Sequence, residues 1–237
     1  RDAHYPYRWD SYFYYLTGFT EPDAVLVLSV DSSGSESVLF CRDKNAEREL
    51  WEGFRHGPEA AQGQFGFDEA HSIGALDELA PRLLANQPAV YYAPGADGAW
   101  DARILGWLNR VREQSRAGVT APTRLQDVRT LLDDMRLRKD AGEQALMRAA
   151  AGISAEGHIA AMRRTAPGRM EYEIEAELLY HFVRNGARQP AYESIVAGGA
   201  NACTLHYAAN NARLNDGDLL LIDAGCEFMG YAGDITR

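Results

Sequence analysis

Runs of apolar residues of two lengths, strand-like and helix-periodic, follow one another along this chain and lay out its elements. Residues 24–30 (AVLVLSV) and 37–41 (SVLFC) are short apolar runs separated by Asp31-Ser32-Ser33-Gly34, a cluster that predicts a hairpin. Upstream, residues 1–23 carry Tyr5, Tyr7, Trp9, Tyr12, Phe13, Tyr14 and Tyr15 before Thr17-Gly18. Aromatic rings bury large areas whatever their function, so a first element packed on the core is expected. Ile73–Asn86 reads as a helix that Pro81 should break, kink or restart. Ala89–Tyr92 reads as a strand closed by Pro94-Gly95. Ile104, Leu105, Leu108 and Val111 then share one face of a helix over 98–113.

Beyond residue 139 the pattern turns helical. Asp140-Ala141-Gly142-Glu143 has capping-box spacing and should start a helix that runs to about Arg164, stopped by Pro167-Gly168. Ile174, Leu178, Leu179 and Phe182 mark a second amphipathic helix, ended at Asn185-Gly186. Strand-like Ser194–Val196, the pair Gly198-Gly199 and His206-Tyr207 follow. The expected organisation is an α/β domain over 1–125, a linker over 126–139 and a second domain over 140–237. A length of 237 residues suits two domains of roughly 100–200 residues each.

The last stretch, LLLIDAGCEFMGYAGDITR, holds the candidate chemistry. An apolar run ends on Asp223, and Met229-Gly230 offers a two-residue hairpin turn. With the turn there, Phe228 faces Tyr231 and Asp223 faces Thr236, which leaves Asp234 diagonally across from Asp223 on the same face. Diagonal neighbours lie roughly 7–8 Å apart, so the two carboxylates suit a pair of cations. Two solvated aspartates on an edge hairpin are the plainer alternative. Against it, an aspartate that ends an LLLI run is at a strand mouth or buried, and a buried carboxylate needs a partner or a metal. Cys226 has the opposite parity to Asp223 and reads as a buried thiol. A lone histidine such as His206 reads, on its own, as a satisfied core residue rather than a functional one.

The segment DAGCEFMGYAGDITR resembles the first metal-binding segment of the pita-bread (M24-type) metallopeptidases. YYLTGFTEPDAVLVL, ELWEG, MRLRKDAGE, PGRMEYEIEAEL, IVAGGANACTLHY and DGDLLLIDAG are similar, in order, to the bacterial Xaa-Pro aminopeptidase (aminopeptidase P) branch of that family. The resemblance implies an α/β N-terminal domain followed by the first half of an α+β pita-bread catalytic domain. It implies a hydrolase that releases the N-terminal residue from peptides with proline in second position, with a water between two metal ions as nucleophile. Asp223 and Asp234 would be metal ligands, Asp234 bridging both ions and Thr236 supporting them. His206 would contact substrate or the developing oxyanion. Tyr207, Trp51 and Arg116 would line the pocket, the last two as mobile or inter-subunit contributors. Mn²⁺ is the implied metal, with Co²⁺ and Zn²⁺ as alternatives. A homodimer or homotetramer is implied.

Prolidase, which takes only Xaa-Pro dipeptides, remains an alternative. So does a metal-free pita-bread protein that binds peptides, although such relatives need not keep both aspartates. The family's other ligands, a histidine and two glutamates, lie downstream of the segment present here, and His4, His56, His71, His158 and His181 match none of them. By resemblance, then, this chain alone is an inactive fragment that needs the C-terminal half of the same protein.

Composition narrows the partners. A net charge of −10 argues against nucleic acid, and no apolar run approaches the ~20 residues of a membrane span. Cys41, Cys203 and Cys226 are widely spaced and form no CxxC, which fits a reducing cytoplasm. The chain begins at Arg1 without a methionine or a signal-like apolar core, so neither export nor a true N-terminus is indicated.

Overall fold

A computed structural model describes residues 5–32 and 34–237. His4 and Ser33 of the first expected turn lie outside the described residues. The chain forms two compact units, Arg1–Leu137 and Arg138–Arg237.

In the first unit, Asp10 caps α1 (Ser11–Thr17) by accepting from the amides of Tyr12 and Phe13, and Gly18 ends it in the left-handed region at φ 63°. β1 (Val25–Asp31) pairs antiparallel with β2 (Gly34–Cys41) in the register of the expected hairpin, Val25 opposite Phe40 and Asp31 opposite Gly34. The α2 helix (Ala46–Glu52) and α3 helix (Gly57–Phe65) lead to β3 (Glu69–Ser72), which runs parallel to β2. The run VLFC is central and buried on both faces. Val38 and Phe40 join one core cluster with Leu76 and Leu108, while Leu39 and Cys41 join another with Phe19 and Ala61. A strand covered on both sides reads as a continuous apolar run rather than an alternating one.

The α4 helix (Leu76–Leu84) passes straight through Pro81 instead of breaking there. Proline lacks the N–H that would bond the carbonyl four residues earlier, which is that of Asp77. Arg110 Nη1 donates to that carbonyl oxygen at 2.6 Å instead. A side chain from another helix therefore satisfies the group that proline leaves open.

β4 (Ala89–Tyr92) and α5 (Gly98–Arg112) form as expected, with Ile104, Leu108 and Val111 buried, but Leu105 of the expected face is exposed and Trp107 is buried instead. The expected linker 126–139 is different: β5 (Arg124–Asp127) pairs in parallel with β4, and α6 (Arg129–Leu137) closes the unit. β5 reads RLQD and leaves Leu125 42% exposed, so it carries no apolar alternation to betray it. The pairing is made by the backbone.

In the second unit, α7 (Ala141–Arg164) begins at the capping box: Asp140 Oδ1 accepts from Glu143 N at 2.8 Å, and Glu143 Oε2 from Asp140 N at 2.9 Å. α8 (Glu171–Arg184) buries Ile174, Leu178 and Phe182 completely. The two helices approach so closely that a Cβ on Gly157 would meet the Phe182 ring at 2.8 Å. They cover two small sheets. In one, β7 (Ile195–Gly198) and β11 (Ile235–Thr236) flank β8 (Leu220–Ala224). In the other, β6 (Gln189–Pro190) and β10 (Tyr231–Ala232) flank β9 (Cys226–Phe228). Helices on sheets with alternating inward positions give one core, centred on Ile174, Phe182, Val196, Ile222 and Cys226.

Candidate metal centre

The site is built on the hairpin that links these two sheets. Met229 and Gly230 both have positive φ, 50° and 80°, as a two-residue turn between twisted strands demands. The pairing then runs Tyr231 with Phe228, Ala232 with Glu227, Ile235 with Ala224 and Thr236 with Asp223. Asp223 thus lies half-buried next to the end of β8, and Asp234 sits exposed on the returning segment, diagonally across from it.

Two glycines let the strands close at this point. A Cβ on Gly225 would stand 1.8 Å from the carbonyl oxygen of Gly233, and one on Gly233 would stand 2.3 Å from Ser154 Oγ. The hairpin is pressed onto α7, whose polar side chains take up the backbone groups where β8 passes into β9. Ser154 Oγ accepts from Cys226 N at 3.0 Å and donates to Ala150 O at 2.8 Å. His158 Nε2 donates to Ala224 O at 2.9 Å. Tyr231 donates its hydroxyl to Glu143 Oε1 at 2.8 Å, fixing the returning strand to the start of the same helix. Cys226 is fully buried, where burial pushes its thiol up from the ordinary range.

Asp223 and Asp234 converge on one group that sequence reasoning missed. The Tyr192 hydroxyl lies 2.6 Å from Asp223 Oδ1 and 3.0 Å from Asp234 Oδ1. A hydroxyl has one proton to donate, so two carboxylates share a single donor. Burial, and then hydrogen bonding to first Asp223 and then Asp234, pushes the Tyr192 phenol well above its ordinary range. It remains a neutral donor. Tyr192 lies between β6 and β7, and nothing local marks it; only the pairing of Ile195 with Asp223 brings its segment to the site.

The other expected residues divide by position. Thr236 is exposed opposite Asp223. His206 is exposed in the turn that follows a 3-10 segment, Gly199–Cys203. Tyr207, beside it, is half-buried with its hydroxyl 2.8 Å from Glu171 Oε2. Trp51 and Arg116 belong to the first unit. Trp51 lies in the last turn of α2, 85% exposed. Arg116 is exposed in a 3-10 turn, Ser115–Ala117. Three of the remaining histidines are placed by other groups: His56 Nδ1 by Glu21 at 2.6 Å, His71 Nε2 by Glu69 at 2.9 Å and buried His158 as above. His181 lies 3.6 Å from Glu156.

As a donor set, two carboxylates suit a hard divalent cation. Among the described residues no group of three or more His, Cys, Asp or Glu side chains assembles to hold a metal. The residues present therefore fit as part of a coordination sphere.

Comparison with known proteins gives this arrangement a context. Residues 1–91 match the model of the aminopeptidase P N-terminal domain, and residues 145–237 match that of metallopeptidase family M24. The whole chain is 46% identical to a Xaa-Pro aminopeptidase of Haemophilus influenzae, covering 52% of that protein. Among solved structures it is similar to aminopeptidase PepP of Pseudomonas aeruginosa, with a TM-score of 0.96 and 50% identity over 100% of this chain and 54% of that one. It is equally similar in fold to a zinc-substituted Escherichia coli aminopeptidase P in complex with product, with a TM-score of 0.96 and 44% identity, covering 100% and 54% of the two chains. The chain spans about half the length of the relatives it matches.

Proposed function

The chain carries an aminopeptidase P N-terminal domain and part of an M24 metallopeptidase domain, and from that premise we propose that it supplies half of the active site of a metal-dependent Xaa-Pro aminopeptidase. The observation that carries the proposal is the convergence of Asp223 and Asp234 on the one Tyr192 hydroxyl. Family M24 implies the use of divalent metal. Bound there, such ions supply a water that is nucleophilic at neutral pH and polarise the scissile carbonyl.

The chain's own residues would then act as follows. Asp223 and Asp234 hold the cations from one side, with manganese the metal best suited to an oxygen-rich set that a histidine completes. Tyr192 donates to whichever carboxylate oxygen is left free and fixes its orientation, as groups behind metal ligands do. His206, exposed and without a partner among the described residues, presents a ring N–H toward substrate. The substrates would be peptides with proline in second position, and the C-terminal half of the same protein would provide the remaining ligands. Both aspartates sit where a metal-free peptide binder would not need them, which argues against that alternative.

In the full-length protein His206→Ala should lower kcat by roughly 10²–10³, the size of one lost transition-state donor, with metal content unchanged. If the variant loses metal instead, His206 is a ligand and this role is wrong. The free thiols Cys41, Cys203 and Cys226 support a cytoplasmic location, which cell fractionation would check.

An oligomer is also proposed, with Trp51 as an anchor. Leu50, Trp51 and Phe54 are 85%, 85% and 66% exposed around the end of α2, and large exposed aromatics of this kind make interface hot spots. The expected result is that Trp51→Ala reduces the solution mass measured by light scattering toward that of a single copy. An unchanged mass, with longer peptides cleaved as well as before, would remove Trp51 from the interface.

A further inference from the structure

Glu171 opens α8 and is fully buried, at 0% exposed. A buried carboxylate demands compensation, and here no ion pair supplies it among the described residues. Four neutral donors do so instead. Oε1 accepts from Gly198 N at 2.7 Å and from Asn201 Nδ2 at 3.0 Å. Oε2 accepts from the Tyr207 hydroxyl at 2.8 Å and from Ala212 N at 2.8 Å. Burial alone would favour the neutral acid, but the four donors outweigh it and hold the carboxyl below its ordinary range.

All four donors belong to one stretch, residues 198–212, and His206 lies in the middle of it. Glu171 also holds that stretch through its own backbone, since its N–H donates to Ala212 O at 3.0 Å. One helical turn further on, Glu175 Oε2 accepts from Asn210 Nδ2 at 3.0 Å, and Asn210 Oδ1 in turn accepts from Val196 N at 2.9 Å. The segment is therefore pinned at Gly198, Asn201, Tyr207, Asn210 and Ala212. Between the pins Leu205 stands 90% exposed, and His206 beside it is exposed too. Gly198 is paired with Leu220 in the strand that carries Asp223, so the same carboxylate refers the loop to the metal-bearing strand. A Cβ on Gly198 would stand 2.6 Å from Leu214 Cδ2, so a larger residue there would make that side chain move.

We propose that Glu171 is a positioning residue for the reaction: it holds the 198–212 segment so that His206 is presented at a fixed place relative to Asp223. This rests on the role given to His206 above. Glu171 touches neither substrate nor metal; it acts through the loop.

The test compares Glu171→Gln, Tyr207→Phe, His206→Ala and the double variants Glu171→Gln/His206→Ala and Tyr207→Phe/His206→Ala in the full-length, manganese-loaded enzyme with a Xaa-Pro peptide. Glu171→Gln keeps the shape but replaces one acceptor by a donor. It should lower kcat by about 10²-fold, the effect of a small misplacement of a reacting group, with metal content unchanged and KM within a few-fold. Tyr207→Phe, which removes one donor of four, should lower kcat less, and it carries the same comparison if Glu171→Gln does not fold. On the His206→Ala background either change should cost less than about twofold, since residues acting as a unit are not additive. Amide exchange gives a readout free of activity: residues 198–212 should lose at least about tenfold in protection while 219–237 stay unchanged. Multiplicative losses in kcat, or unchanged protection of 198–212, overturn the proposal. Should His206→Ala retain parental kcat, it is the role of His206 that falls, and the exchange result still decides whether Glu171 holds the loop.

Discussion

Asp234→Ala in the full-length protein is expected to abolish peptide turnover while leaving the fold intact. The two halves of that expectation rest on different observations. Asp234 is exposed, and among the described residues its side chain's one hydrogen bond is the 3.0 Å contact with Tyr192. Its strand is held by backbone pairing and by the Arg237–Ile222 amide exchange at 2.7 and 2.8 Å. Surface substitutions of this kind change stability by no more than about 0.5 kcal/mol. The chemistry has no such reserve. Loss of a group behind a metal ligand costs roughly 10–100-fold, and loss of a ligand itself should exceed that, to ~10³-fold or more. Turnover, metal content and the circular dichroism spectrum are the measurements. Retention of more than a few per cent of wild-type turnover with an unchanged spectrum would falsify the assignment of Asp234 as a ligand.

Gly225→Ala should be the most destabilising single methyl in the second unit. Its neighbours are backbone atoms, with Gly233 O at 1.8 Å, Gly233 C at 2.4 Å and Asp234 N at 3.0 Å from the added carbon. Backbone cannot swing aside as a flexible side chain can. The strands must part, which strains the bonds from Gly233 N to Cys226 O at 2.8 Å and from Ala191 N to Gly225 O at 2.9 Å. Overpacking costs typically 1–3 kcal/mol, and with no side chain to yield the loss should be about 3 kcal/mol. Metal affinity should fall with it, because Asp223 and Asp234 flank the point of separation. Gly152→Ala is the control: Gly152 lies in α7 with nothing near its added carbon, and alanine there should stabilise by up to about 1 kcal/mol. Urea unfolding of both variants decides the matter. Equal stabilities would mean that the strands at Gly225 and Gly233 can part without cost.

The parts of this architecture that were legible in the sequence are those set by local chemistry. The capping box at Asp140 and Glu143, the two-residue turn Met229-Gly230 and the apolar strand run VLFC each declare themselves within a few residues. The register that puts Asp234 diagonal to Asp223 follows from the turn by counting. What stayed hidden depends on partners far along the chain. β5 is a strand because β4 offers it hydrogen bonds, and its own RLQD shows no alternation. Pro81 stays inside α4 because Arg110 reaches the carbonyl of Asp77. Glu171 looks like an ordinary acidic residue in the first turn of a helix, where such residues are favoured by the dipole, yet it is buried under a loop that arrives from residues 198–212. Tyr192 is silent for the same reason: its two carboxylate partners are 31 and 42 positions away.

Those separations also bear on how the carboxylate cluster comes together as the chain folds. Asp223 and Asp234 are only eleven positions apart, so one short loop closure, nucleated at Met229-Gly230, brings them side by side. Bringing Tyr192 to Asp223 closes a loop of 31 positions and costs about 0.9 kcal/mol more in chain entropy. The hairpin can therefore assemble two like charges before the hydroxyl that links them is in place, and the mutual repulsion of the pair has to be borne by the turn and by the contacts of Gly225 and Gly233. Backbone geometry, rather than attraction between the side chains, is what sets these aspartates together.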